Sequence, residues 1–213
     1  MKAWQAGDSA RARQLFEDSA RGDPASGTWQ NLGQLEWLRG RTGPAVLAWE
    51  RAAWVDPWNT TAREDLRYAR KNAQLEAPDL AWYEVISTWL PVNAWPWITG
   101  LSFWFAVGAV LLPGILRGRR TTTQQALAAL GLTVFLLSLP AYAGVITRTR
   151  IGVILEKDTL LRLTPTSQGQ STTRLSGGDP ARLRRSRGGF VLVRTSRSEG
   201  WVEAARFGLI CPP

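Results

Sequence analysis

The chain has 213 residues, room for one or two small domains, and it contains no histidine and a single cysteine, Cys211. Those absences remove the commonest general base, the usual hydrolase triads, most zinc ligand sets and any intramolecular disulfide, so neither an enzyme nor a cofactor is expected. The net charge of +9 is divided unevenly: residues 1–94 carry 11 basic and 12 acidic side chains, residues 95–150 five arginines and no acid, and residues 151–213 10 basic and 5 acidic. A nucleic-acid binder gathers its charge on one module among aromatics, so no nucleic-acid partner is expected either.

Residues 1–76 repeat with a period of 33: Gly7, Ala12, Phe16, Ser19, Asp23 and Pro24 recur as Gly40, Ala45, Trp49, Ala52, Asp56 and Pro57. Within each copy the small and apolar positions follow the i, i+3, i+4, i+7 rhythm of a helix, and Asp-Pro ends it because proline cannot continue the ladder. The next stretch is predicted to be a capping helix. Thr61 and Glu64 have capping-box spacing, and Ala62, Leu66, Ala69 and Ala73 form a small apolar stripe.

This pattern resembles the tetratricopeptide repeat, whose period is about 34. Trp29, Leu32 and Gly33 fall where its first helix carries W-x-x-L-G, and Ala45, Trp49, Ala52 and Pro57 fall at the signature positions of its second. Glu36 departs from the pattern, which prefers an aromatic there. Spacing makes Trp29 and Trp49 core plugs. Met1 falls inside the first helix of the first copy, so the product is expected to begin upstream, with a targeting segment and more repeat.

Residues 77–94 are rich in tryptophan. Asp79 to Leu90, between Pro78 and Pro91, is predicted as an amphipathic helix with Trp82, Val85, Ile86 and Trp89 on one side. Two placements are open: on a membrane surface, or against the repeats.

Two uncharged runs follow, Trp97–Leu116 and Ala126–Ile146. Each is about 30 Å long as a helix, the thickness of a bilayer core, which predicts transmembrane helices over 95–116 and 126–147. The turn at 117–125 makes them an antiparallel hairpin with both flanking modules on one side. Arg117, Arg119 and Arg120 lie in that turn and no Lys or Arg lies in the twenty residues before the first span, so the turn is expected in the cytoplasm. Trp89, Trp95, Trp97 and Tyr142 would form an aromatic belt at the outer face.

Residues 150–211 change character. Runs predicted as strands (GVILE, TLLRLTP, ARLRR, FVLVR and GWVEAARFG) alternate with glycine-rich turns, which suggests a small barrel. The module resembles the bacterial SH3-like domain through Leu161-Arg162-x-x-Pro165, the Gly178-Asp179 turn, the hairpin from Phe190 to Arg194, and Gly200-Trp201-Val202. Trp201 could serve a peptide groove or the core. Arg182, Arg184, Arg185 and Arg187 form a basic cluster, with Arg182 and Arg184 expected on one face at period two. It reads either as a solvated face or as a surface for lipid headgroups or an acidic partner.

The expected fold is thus multidomain: all-α repeats, a two-helix membrane hairpin and an all-β SH3-like barrel. That order is similar to the tetratricopeptide–SH3 membrane proteins of bacterial aerotolerance (Bat) operons. The resemblance implies an inner-membrane scaffold with periplasmic modules, working beside von Willebrand A-type proteins and a MoxR-type ATPase. The alternative is a protein whose SH3-like module binds peptidoglycan or another anionic envelope polymer.

Overall fold

The computed structural model describes residues 14–16, 18, 19, 22, 25–115 and 121–211. Gly7, Ala12, Asp23 and Pro24 of the first repeat copy, and Arg117, Arg119 and Arg120 of the turn, lie outside the described residues. The chain forms two compact units, one running from Leu80 to Thr147 and the other joining Met1–Asp79 to Arg148–Pro213. The N-terminal helices and the C-terminal sheet, read from the sequence as separate modules, therefore share one unit.

In that shared unit α1 (Ser26–Leu38), α2 (Thr42–Val55) and α3 (Thr60–Ala73) stack in succession. Gly40, at a φ of +72°, turns the chain between α1 and α2, where a side chain would strain the backbone. Trp29, Leu32, Leu35, Ala48, Ala52 and Ala62 make one core cluster, and Ala45 and Trp49 are buried as well. Glu36 is also buried and pairs with Arg41 at 3.2 Å, which offsets the cost of a carboxylate where an aromatic was expected.

The capping box expected at Thr61 and Glu64 does not form, because Thr61 already lies inside α3. The cap is Asn59, whose side chain accepts from the Ala62 N–H at 3.0 Å and donates to Ser26 Oγ at 2.8 Å and Gln30 Oε1 at 3.0 Å. One amide thus fastens α3 to α1.

Gly33 is required by packing. A Cβ there would sit 2.5 Å from Trp49 Nε1 and 2.6 Å from Trp49 Cδ1. Gly33→Ala should gain about 1 kcal/mol in helix propensity and lose about 2–3 kcal/mol to overpacking, for a net loss. Thermal unfolding in detergent would register it; a melting temperature equal to or above that of the parent contradicts the packing.

The sheet has seven strands: β1 (Ile151–Ile154), β2 (Thr159–Arg162), β3 (Ser171–Leu175), β4 (Pro180–Arg187), β5 (Phe190–Arg194), β6 (Glu199–Glu203) and β7 (Phe207–Leu209). Their order is β3-β2-β6-β5-β4-β1-β7, with every neighbour antiparallel. β3 was not predicted because four of its five residues are exposed and leave no apolar alternation. The run GWVEAARFG, predicted as one strand, breaks at a 3-10 turn over Ala204–Arg206 into β6 and β7. Ile154, Leu161, Leu175, Ala181, Val191, Val193, Val202 and Phe207 form one core, and they come from all seven strands. A sheet whose edge strands both reach the same core must curl around it.

Helices and sheet meet through glycines. A Cβ on Gly43 of α2 would collide with the Leu155 carbonyl oxygen and lie 2.6 Å from that of Ile154. Gly208 lies against Leu47, and Gly178, at a φ of +109°, lies against Leu75. Arg51 donates from Nε and Nη2 to the Leu209 carbonyl at 3.1 and 3.0 Å.

Farther on, Glu76 accepts from Ser196 Oγ and from Arg197 Nη2. The Ser196 bond, with the Arg197 charge, holds the Glu76 carboxyl below the usual range. A depressed folded-state value makes this tie present above about pH 4.3, the unperturbed glutamate value, and lost as pH falls through the folded value. The tie lies at the surface, its Arg197 side chain 83% exposed, so Glu76→Gln should lower the melting temperature slightly near neutrality and leave it unchanged in acid. Equal curves at both pH values would show that the tie contributes nothing.

The second unit holds a short helix α4 (Trp82–Ile86) and two long ones, α5 (Ala94–Ile115) and α6 (Thr122–Arg148). The helix expected from Asp79 to Leu90 shrinks to α4. The hydroxyls of Ser87 and Thr88 donate to the carbonyls of Glu84 and Val85 at 2.6 and 2.8 Å, which competes with the helical ladder. α6 starts at Thr122, so the last four residues of the predicted 117–125 turn are helical. Thr121 and Gln124 supply a reciprocal capping box at 3.1 and 3.4 Å that was not anticipated.

Both long helices are apolar and long enough to cross a membrane, yet only 11% and 22% of their apolar windows are buried. What α6 does bury is small or polar: Gly131, Ser138, Ala141 and Gly144. Ser138 Oγ accepts from Thr99 Oγ1 at 2.9 Å, and Phe103 meets Phe135 at 5.3 Å between ring centres. The large residues, among them Leu101, Trp104, Leu130, Leu136 and Leu137, face outward. Small inside and large outside is the reverse of a soluble core and the pattern of helices packing in lipid.

Candidate functional site

Antiparallel partners point their side chains to the same face, so the register defines the outer surface of the sheet. Arg162 of β2 pairs with Trp201 of β6, Trp201 with Leu192 of β5, and Leu192 stands opposite Arg185 of β4. On one side of this row lie Glu199, Arg194 and Arg182; on the other lie Glu203, Phe190 and Arg187. The alternate positions, Gly200, Val193, Val202 and Val191, are buried. Trp201 is accordingly an outward, half-buried residue, and Val202 supplies the core side.

Arg182 and Arg184 were expected on one face, and the pairing of β4 with β5 adds Arg185 and Arg187 to it. The register shifts between Leu183 and Arg185, so that Arg184 and Arg185 both stand opposite Leu192. Without that bulge Arg185 and Arg187 would follow Leu183 onto the core side, where unpaired guanidinium groups are costly. The extra residue resets the phase, and Arg185 and Arg187, rather than Arg184 alone, continue the face begun by Arg182. Arg184, Arg185 and Arg187 are exposed, and Arg182 is half-buried, donating to the Asp79 carbonyl at 3.4 Å. Arg194, opposite Arg182, belongs to the same surface and was missed, because its partnership depends on strand pairing.

The remaining motif residues support this face. Arg162 Nη1 donates to the carbonyls of Ser167 at 2.5 Å and Gly169 at 3.2 Å, closing the loop that contains Pro165. A Cβ on Gly200 would lie 2.7 Å from Leu161 Cγ and 2.8 Å from the Arg162 carbonyl oxygen, so only glycine lets β6 seat against β2 there. Asp179 Oδ2 accepts from the Ser176 N–H at 2.7 Å in the turn before β4; burial pushes its carboxyl upward, partly offset by that bond.

The repeat-defining residues are elsewhere. Trp29, Leu32, Ala45, Trp49, Ala52 and Pro57 are buried among the helices, with Gly33 beneath the Trp49 ring. Beside them a cleft of about 800 Å³ opens between α1, α2 and the β1–β2 turn. The Arg51 guanidinium stacks 4.7 Å over Trp29 at its wall, and burial lowers its pKa. Glu36 and Arg41 pair at the rim. The cleft thus joins residues of both ends of the chain, but its charged groups chiefly answer one another.

Comparison with known proteins returned no match to a family model, to a curated protein or to a solved structure.

Proposed function

We propose that the chain is a membrane-anchored interaction scaffold of the bacterial cell envelope. In this reading the tetratricopeptide-like helices and the SH3-like sheet are held as one body on one side of the membrane, by a transmembrane hairpin inserted between them in sequence. The carrying observation is the division of the chain: residues before and after the apolar pair belong to the same compact unit, while the pair itself turns its large side chains outward. Two halves that pack together must flank an even number of crossings. The resemblance to Bat-operon proteins adds the inner membrane, the periplasmic side, and von Willebrand A-type and MoxR-type partners to the proposal.

The ligand surface in this reading is the outer face around Trp201. A half-buried indole with Leu192 and Phe190, ringed by Arg162, Arg182, Arg185, Arg187 and Arg194, suits an acidic protein segment. The same excess of arginine favours the second reading, an anionic envelope polymer. A photo-crosslinking amino acid at Leu192, in native membranes, separates them. The scaffold reading expects discrete protein adducts that disappear with Trp201→Ala and with Arg185→Glu/Arg187→Glu. The polymer reading expects the full-length protein in detergent to co-sediment with purified cell wall and to lose that on the same substitutions. Crosslinking insensitive to these changes, with no wall binding, removes the face from both. Sidedness is checked by an impermeant maleimide on Ser186→Cys in a Cys211→Ser background. Labelling only after lysis places the face in the cytoplasm and ends the periplasmic assignment.

A further inference from the structure

The segment between Leu80 and Trp97 is built with its polar side inward. Glu84 is 1% exposed and Ser87 0%, whereas Trp82 is 66%, Trp89 63% and Trp97 70% exposed. In a water-soluble amphipathic segment the indoles go in and the carboxylate goes out. The inversion is held by specific bonds. Glu84 Oε2 accepts from the Ala81 N–H at 3.0 Å, Ser87 Oγ donates to the Glu84 carbonyl at 2.6 Å, and Trp95 Nε1 donates to the Ser87 carbonyl at 3.1 Å. Trp95, expected in the aromatic belt, is instead a buried fastener.

The backbone of this segment also rests directly on α6. A Cβ on Gly144 would lie 2.9 Å from the Tyr83 carbonyl carbon and 3.0 Å from Glu84 Cα, so no other residue lets the two approach as they do. Turning Trp82 and Trp89 inward would break every one of these contacts. The outward face, moreover, holds no charge: from Leu80 to Trp97 the only charged residue is Glu84, and it is buried.

We propose that residues 80–97 are a lipid-interface bracket, seated at the boundary between headgroups and acyl chains through Trp82, Val85, Trp89 and Trp97. The bracket sets the depth of the hairpin. The inference rests on the membrane-spanning reading of α5 and α6. Lipid is the fitting occupant because this uncharged indole surface is continuous in sequence with a helix whose own large side chains face outward. Indole, with an apolar body and one polar N–H, is the side chain that partitions to that boundary. The Glu84 and Ser87 contacts fix which face it meets.

The test uses the full-length protein in phosphatidylcholine–phosphatidylglycerol vesicles, in a Cys211→Ser background. An environment-sensitive fluorophore is placed in turn on Trp82→Cys, Trp89→Cys and, at the centre of α6, Leu136→Cys. The vesicles contain lipids brominated either near the headgroup or near the chain ends. The bracket predicts that probes at 82 and 89 are quenched about twofold more by the shallow bromines than by the deep ones, with the reverse at 136. Gly144→Leu should weaken the shallow quenching at 82 and 89 while leaving 136 unchanged. If 136 is quenched by deep bromines but 82 and 89 emit as in water, or are quenched best by the deep bromines, the bracket is overturned and the spanning hairpin stands. If 136 escapes quenching altogether, the membrane reading falls and takes the bracket with it.

Discussion

Gly43→Ala should destabilise the unit formed by the N-terminal helices and the sheet by about 2 kcal/mol. The substitution looks benign locally: it adds one methyl near the start of α2, where alanine is the better helix former by at most about 1 kcal/mol. The added carbon, however, meets two backbone carbonyl oxygens at the end of β1, those of Ile154 and Leu155. Carbonyls of a paired strand cannot rotate away as a side chain can. Ile154 is fully buried, and its carbonyl accepts from the Gly178 N–H at 2.8 Å. Relief must therefore come from moving α2 as a body, which also pulls Arg51 from the Leu209 carbonyl and Leu47 from Gly208. Overpacking of this kind costs about 3 kcal/mol, so the propensity gain is outweighed. Denaturant unfolding of the detergent-solubilised protein, followed by tryptophan fluorescence, measures it. A midpoint at or above the parent's would mean that helices and sheet do not meet at Gly43.

The second large effect concerns α6. On the membrane-spanning reading proposed above, Leu136→Arg should cost about 3 kcal/mol of membrane insertion, roughly two decades in the equilibrium, because the guanidinium would stand near the middle of the span. The same substitution separates two physical situations. On a helix facing water, replacing an exposed leucine by arginine changes stability by no more than about 0.5 kcal/mol and aids solubility. Leu136 is exposed, with Leu137 and Leu139 beside it, while Ala141 is buried and Ser138 is hydrogen-bonded to Thr99 of α5. An insertion assay with a glycosylation reporter beyond the second span reads the outcome directly. Unchanged insertion, together with release of the parent protein by alkaline carbonate, would make α5 and α6 surface helices of a soluble protein.

How much of this was legible beforehand depends on the range of the interactions involved. Two uncharged runs near twenty residues, a 33-residue repeat and the end of a helix at Asp56-Pro57 are local patterns, and α2, α5 and α6 follow them closely. Trp29 and Trp49 could be assigned to the interior for the same reason: their spacing places them on one face of a helix that must be covered. The Asn59 cap was overlooked although it stands just after Pro57, because the Thr-x-x-Glu pattern beside it was the more conspicuous signal.

Three features were beyond any local pattern. The four arginines of β4 stand out in the sequence, but the bulge at Arg184 depends on β5 and decides which of them share the face with Trp201. The apolar positions of residues 79–90 were visible; which way they point depends on whether Glu84 or Trp82 meets α6, and Gly144, some sixty residues away, permits the answer. The union of the helices with the sheet rests on contacts such as Gly43 with Ile154 and Arg51 with Leu209, more than a hundred residues apart. Hydrophobic period and turn chemistry are written in neighbouring residues, so the sequence alone determined the repeat helices, the apolar pair and the strands that carry apolar residues, but not the exposed β3 or the shortened α4. Register, facing and joint are settled by which surfaces exclude water and satisfy one another's polar groups, and those surfaces exist only once the chain has folded.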